Sequence, residues 1–187
     1  MLAEKYRDRS QTGTATLSDA VGPAPQANFL DVGQGTEENQ RDGNVIQCKS
    51  LGLNLELEKP AAATTEQLRV LIVRWGGGGQ PNLNQVLSAA FNNFYLAHYV
   101  QKDQADHLHS YNVLYDKRVV LSDGVSDHLT LPLLLRLDGK QAVYSSNTST
   151  SLEKGNIVMW VITERPTAEG TSVSWTACSR LKFSDNL

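Results

Sequence analysis

Leucine recurs at every second position in two separate stretches, and that period constrains this chain more than any other feature. In "SLGLNLELE" Leu51, Leu53, Leu55 and Leu57 alternate with Gly52, Asn54, Glu56 and Glu58. In "HLTLPLLLRLDGKQAVY" Leu129, Leu131, Leu133, Leu135 and Leu137 alternate in the same way. Successive side chains on a strand point to opposite faces, so each stretch predicts a strand with one buried and one wet face. Two further runs, "EQLRVLIVRW" (66–75) and "NIVMWVIT" (156–163), are β-branched and predict strands apolar on both faces. Near the C-terminus Val173, Trp175, Ala177, Leu181 and Phe183 alternate down a last strand.

Smaller signals refine this pattern. Ile46 and Cys48 fall on the opposite parity from Leu51, which predicts a bulge or bend near Lys49. Pro132 cannot donate to a ladder, so its strand is expected at an edge or with a bulge. Asp138-Gly139 predicts a tight hairpin turn. Leu83, Val86, Leu87, Ala90 and Phe91 in "PNLNQVLSAAF" predict one short amphipathic helix in a loop. Seven or eight strands with no repeating βα rhythm make an all-β protein, closed as a two-sheet sandwich or barrel.

A chain of 187 residues suffices for one domain with a tail. Its 40% hydrophobic and 20% charged content is that of a globular protein. No window holds 18 apolar residues, and "MLAEKYRDRSQTG" lacks the apolar segment of a secretory signal. Cys48 and Cys178 are expected as buried thiols of a reducing compartment, with a single disulfide as the alternative. Residues 1–40 are poor in large apolar side chains and predict an extended or partly disordered tail ahead of a domain at 41–187. The tail carries three cations (Lys5, Arg7, Arg9) against six acids, out of totals of 17 and 20, so the remainder balances at 14 against 14. No dense basic block marks a nucleic-acid arm.

Chemistry-bearing patterns are sparse. The strand, four glycines and helix around "RWGGGGQPNLNQ" suggest a phosphate cradle, but no Lys-Ser/Thr follows the glycines and Pro81 stands near the third fingerprint position. A surface loop is the better reading. His107 and His109, with Asp103 and Asp106, fall short of a converging ligand set, and loop histidines are expected. Asp123, Asp127 and His128 are candidate oxygen ligands for calcium at a subunit contact, although turn chemistry explains Asp123-Gly124 equally well. No GxSxG elbow or Cys-His neighbourhood appears, and Glu56 and Glu58 belong to a solvated strand face. "NTS" at Asn147 matches a glycosylation acceptor that is expected to be idle. Trp75, Trp160 and Trp175 sit in strand patterns, as core or subunit contacts. No catalytic residue, cofactor or metal is therefore expected.

One stretch poses a sharper question. "SYNVLYDKRVVLSD" (110–123) is crowded with apolar residues, yet a compact polar group, Asp116, Lys117 and Arg118, sits at its centre. Either chemistry interrupts the strand, or its charged centre meets another copy of the chain.

Taken in order, "NVIQCKSLGLNLEL", "SYNVLYDKRVVLSD" and the terminal "ACSRLKFSDN" resemble the jelly-roll capsid proteins of small circular, Rep-encoding single-stranded DNA viruses (CRESS-DNA). The shells of satellite and small plant RNA viruses are also similar. Within the resemblance, "NVIQCKSLGLNLEL" is similar to the fold's first long strand. "SYNVLYDKRVVLSD" is similar to the family's aromatic-x-Val/Ile-Leu-x-Asp-Lys strand, and Arg180, Phe183 and Asp185 fall in the closing one. The likeness covers residues 44–186. It implies an eight-stranded antiparallel jelly-roll sandwich that self-assembles into a T=1 icosahedral shell of sixty copies. The virion would form in the nucleus or cytoplasm and enclose a small, single-stranded DNA genome. It also implies subunit contacts at Asp116, Lys117 and Arg118. Capsid proteins of this family usually begin with an arginine-rich arm, of which this sequence shows Arg7 and Arg9, so Arg7, Arg9, Arg41 and Lys49 are the candidate nucleic-acid contacts. The alternatives are a carbohydrate- or receptor-binding sandwich, monomeric or trimeric, and an enzyme whose site is assembled only in space.

Overall fold

The computed structural model describes residues 4–17, 20, 22–88, 93–100, 111–124, 126–146, 150–164 and 172–185. Strands form where the periodicity predicts them, and at places where it does not. In chain order they are β1 (Lys5–Thr14), β2 (Thr16–Leu17), β3 (Ala27–Asn28), β4 (Val45–Glu58), β5 (Thr65–Trp75), β6 (Tyr111–Ser122), β7 (His128–Tyr144), β8 (Leu152–Lys154), β9 (Ile157–Thr163) and β10 (Ser174–Asp185). One sheet has the order β1-β10-β4-β7-β8; the other has β2-β9-β5-β6, with β3 also on β9. Apart from the short parallel contact of β2 with β9, every pairing is antiparallel. The protein is all-β, and the arrangement is consistent with a jelly roll.

The core follows from side-chain parity. Leu51, Leu53, Leu55 and Leu57 of β4 and Leu131, Leu135 and Leu137 of β7 face Leu68, Val70 and Ile72 of β5 and Met159 and Val161 of β9. The opposite faces of β5 and β9 are also dry: Leu71, Val73, Trp75, Val158, Trp160 and Ile162 pack beneath Leu83, Leu87, Phe94 and Tyr95. That second layer explains why these two strands alone read as apolar at consecutive positions. The buried Trp160 indole donates to Pro23 O at 3.2 Å.

The bulge expected near Lys49 is present. Lys182↔Ser50 is followed by Phe183↔Cys48, so Lys49 is the extra residue opposite β10. Pro132 lies where β7 is paired to β4 on one side only, since β8 reaches just Val143 and Tyr144. A strand open on one side can accommodate a proline, as expected.

Several expectations are corrected. The boundary at residue 40 does not mark the edge of the folded body, because Lys5–Thr14 pairs with β10 over its whole length. Ala27, Phe29, Leu30 and Val32 of the same segment are buried in the main core. A segment too polar to fold alone is ordered here by an existing sheet edge, which satisfies its backbone. It follows that "NVIQCKSLGLNLEL" is β4, with three strands before it. The short helix is reduced to a single 3-10 turn, Leu83–Gln85. The chain beyond it pairs back on residues 98–100, through Ser88 N to His98 O (2.8 Å) and Val100 N to Val86 O (2.9 Å). Ala90 and Phe91 lie outside the described residues. Asp138-Gly139 does take left-handed φ values of 49° and 72°. No hairpin results, because β4 continues alongside and absorbs the pair as a bulge between Ser50↔Arg136 and Cys48↔Lys140. Both cysteines are free thiols, Cys48 buried but Cys178 exposed on the outer face of β10.

Candidate functional site

The charged centre of β6 is built around Arg69, which the β5 register places on the outer, second-core face with Leu71 and Val73. Arg69 is only 3% exposed. A buried guanidinium must spend its donors on partners. Its Nε and Nη2 donate to Asp116 Oδ1 (2.9 Å) and Oδ2 (2.7 Å) as a two-pronged pair. Its Nη1 donates to Phe94 O (3.1 Å) and Ala97 O (2.8 Å) of the loop covering the sheet. The Tyr99 hydroxyl donates to Asp116 Oδ2. Burial alone would push the Asp116 carboxyl up, but the Arg69 and Tyr99 hydrogen bonds and the Arg69 charge hold it below its ordinary value. Burial, and then the bond to Asp116, push the Tyr99 phenol up to about 12.

Asp116 is thus satisfied within its own subunit, where it clamps residues 94–99 to the sheet. Lys117 and Arg118 are exposed, and the Arg118 guanidinium lies 5.3 Å from the Tyr95 ring centre. The strand that carries them ends its sheet, and among the described residues no further strand pairs with its outer backbone edge, which meets a single bridge from Ser122 to Ser126. Among the described residues, four of the six exposed large apolar side chains lie on this strand and the loop beside it: Leu96, Tyr99, Val113 and Val120, the last 56% exposed. Soluble proteins usually blunt such an edge or cover it.

The four basic candidates separate sharply. Arg41 is fully buried and donates to the carbonyls of Val32 (3.2 Å), Gly43 and Ser146 (3.0 Å), with its guanidinium 3.9 Å from the Tyr144 ring centre. It cannot reach a phosphate; it is the hub that ties three backbone segments together. Arg9 pairs with Asp31 at 2.9 Å. Arg7 is half-buried, with an Nε that lacks a partner. Lys49 is exposed on its bulge, with no ion pair among the described residues.

At the calcium candidate, Lys59 occupies the position a cation would take. Its side chain is 2% exposed, and Nζ lies 2.8 Å from Asp123 Oδ1 and 3.8 Å from Asp127 Oδ1 while also donating to Ala63 O. Among the described residues no group of three acidic, histidine or cysteine side chains could hold a metal. Asp103, Asp106, His107, His109 and Asn147 lie outside those residues. The glycine loop forms no anion cradle, since Gly79 N already donates to Leu152 O at 2.9 Å. Trp75, Trp160 and Trp175 are core residues, at most 3% exposed.

Arg69, Lys59 and Tyr99 were not singled out from sequence. A signal existed for the first two: a lone cation inside an apolar run, and one beside a strand end and a proline, each need a buried partner.

No protein-family model matches the chain, and no curated protein matches it. Among solved structures it is similar to that of Desmodium yellow mottle tymovirus, with 10% identity, TM-score 0.42 and coverage of 100% of this chain and 90% of that one. It is also similar to the 60-mer BFDV (beak and feather disease virus) capsid protein, with 10% identity, TM-score 0.36 and coverage of 98% and 92%. A third is the VP2 subviral particle of infectious bursal disease virus, with 13% identity, TM-score 0.25 and coverage of 96% and 33%.

Proposed function

We propose that this chain is a viral capsid protein: an eight-stranded jelly roll that self-assembles into a sixty-copy, T=1 icosahedral shell around a small genome. In this reading β1, β3, β4, β5, β6, β7, β9 and β10 are the eight jelly-roll strands. The order β1-β10-β4-β7 lies against β3-β9-β5-β6, so the chain passes repeatedly from one sheet to the other. The observation that carries the reading is the outer edge of β6, which no other strand pairs among the described residues, with Val113, Val120, Leu96 and Tyr99 exposed beside it. Apolar area removed from water stabilises a contact by about 25 cal/mol per Å². A non-isologous contact repeated around symmetry axes closes a shell. Lys117 and Arg118 flank the apolar side chains and would select register and partner rather than supply affinity.

The packaged nucleic acid, single-stranded DNA in this reading, would meet Lys49 and Arg7. With two of the four candidate cations already engaged, Arg41 by backbone carbonyls and Arg9 by Asp31, its binding would be modest and salt-sensitive. The chain would then be a virion component and carry out no catalysis.

The test is size exclusion coupled to light scattering, with absorbance at 260 and 280 nm on the same peak. A uniform megadalton particle supports the shell, and nuclease-resistant 260 nm absorbance supports an enclosed genome. A species of one to three subunits across salt and pH would end the reading in favour of a binding module.

A further inference from the structure

We propose that a polar cavity at the meeting of β1, β3, the loop after β5 and the start of β8 binds a neutral polyhydroxylated ligand, a single sugar ring. The cavity has a volume of about 320 Å³. That is the low end of small-molecule sites, enough for one ring and not for an oligomer. Arg9, Asp31, Gln80, Thr150, Ser151 and Asn156 supply its polar lining.

Charge argues against a bare anion and against a metal ion. Arg9 and Asp31 are the charged residues among the described lining, and Arg9 Nη1 lies 2.9 Å from Asp31 Oδ2. The pair sums to zero. An anion would meet the Asp31 carboxylate, and a metal ion would meet the Arg9 guanidinium. Both side chains remain accessible, 31% and 38% exposed.

What the cavity offers is a matched set of neutral-ligand contacts. Asn156 is 1% exposed and fixed by its amide, which donates to Gly79 O at 3.3 Å. Its side-chain oxygen is buried and has no hydrogen-bond partner among the described residues. Such an acceptor requires a donor. Among the described residues Arg9 reaches Asn28 O (3.2 Å) and Asp31 through Nη1 alone, which leaves its other N–H groups for a ligand. A hydroxyl both donates and accepts, so adjacent hydroxyls on one ring can donate to Asn156 and Asp31 while accepting from Arg9 and Gln80. Each of these side chains is set on its own segment, and closure of the sandwich brings them together. The site needs no second subunit and is independent of the shell reading.

The experiment titrates the full chain with methyl β-D-galactopyranoside and with methyl α-D-glucopyranoside. Saturation-transfer NMR and calorimetry are the readouts, with inorganic phosphate and calcium chloride as competitors. For a ligand of this size we expect at least one pyranoside to saturate with Kd on the order of 1 mM. Asp31→Asn and Gln80→Ala, each checked for an unchanged melting curve, should weaken it about tenfold or more. No saturable signal from either pyranoside, equal affinity in both variants, or preferential binding of phosphate would each overturn the proposal. Light scattering on the same samples reports assembly separately, so failure of one reading is visible apart from failure of the other.

Discussion

Arg69 on β5 and Asp116 on β6 form a two-pronged ion pair, 2.9 and 2.7 Å between donor and acceptor, with the arginine 3% and the Asp116 side chain 25% exposed. The pair holds down the 94–99 segment, and through it the second apolar layer over β5 and β9.

Asp116→Asn keeps the shape of the side chain but removes its charge, leaving the buried guanidinium without a counter-ion. The expected loss is about 2 kcal/mol of unfolding free energy, the scale of a hydrogen bond to a charged group. Urea unfolding followed by tryptophan fluorescence measures it, and a midpoint equal to that of the parent would remove the clamp from this account.

The same group predicts a pH dependence with a definite sign. A carboxyl whose folded pKa is depressed stabilises the fold above its ordinary value of 3.8. That stability disappears as pH falls from there through the lower folded value. Tyr99, raised from 10.0 to about 12, acts in the opposite sense: its contribution is complete below pH 10 and is lost as pH rises toward 12. Melting temperature against pH should therefore fall at both ends, and the acid limb should be shallower in Asp116→Asn.

On the β6 edge, Val120→Lys puts a charge on a side chain already 56% exposed. The folded subunit should tolerate it within about 0.5 kcal/mol. Particle formation should collapse to small species in light scattering. Undiminished particles would show that assembly uses another surface.

The basic residues separate by role. Arg41→Met should cost about 2–4 kcal/mol, because three backbone carbonyls lose a buried donor. Lys49→Ala should leave stability unchanged and lower the salt dependence of any retained nucleic acid by about one phosphate contact. Chemical unfolding and salt elution separate the two effects; a stable Arg41→Met protein would contradict the first.

Thiol reactivity tests the faces of the first sheet. Cys178 is exposed and should react with a disulfide reagent in the native protein. Cys48 is buried, and burial raises its thiol to about 12, so it should react only after unfolding. Two fast thiols in the native state would place Cys48 wrongly.

Much of the sandwich was legible because hydrophobic period is a local property. The alternating leucines of β4 and β7 and the two-faced runs of β5 and β9 appear where they were expected. β1 was illegible for a physical reason. The face it turns toward residues 28–42 carries Lys5, Arg7, Arg9 and Gln11, whose partners include Asp42, Asp185, Asp31 and Asn28 rather than leucines. Its alternation is between two polar faces, and no apolar stripe reveals it.

The chain's own order of residues therefore determined the apolar-periodic strands and which of their faces are dry, since pleating converts period into burial; β1 became a strand only through the sheet edge it joins. Only the tertiary structure decided what lies across from each polar group. It turned Asp138-Gly139 from a turn into a bulge by running β4 past it. It withdrew Arg41 from any phosphate by surrounding it with three carbonyls, and gave Asp116 to Arg69. It set the Lys59 ammonium beside Asp123 and Asp127. A side chain's charge is written in the sequence, but its partner depends on register and on which loop closes over it, and buried charges are settled by their partners.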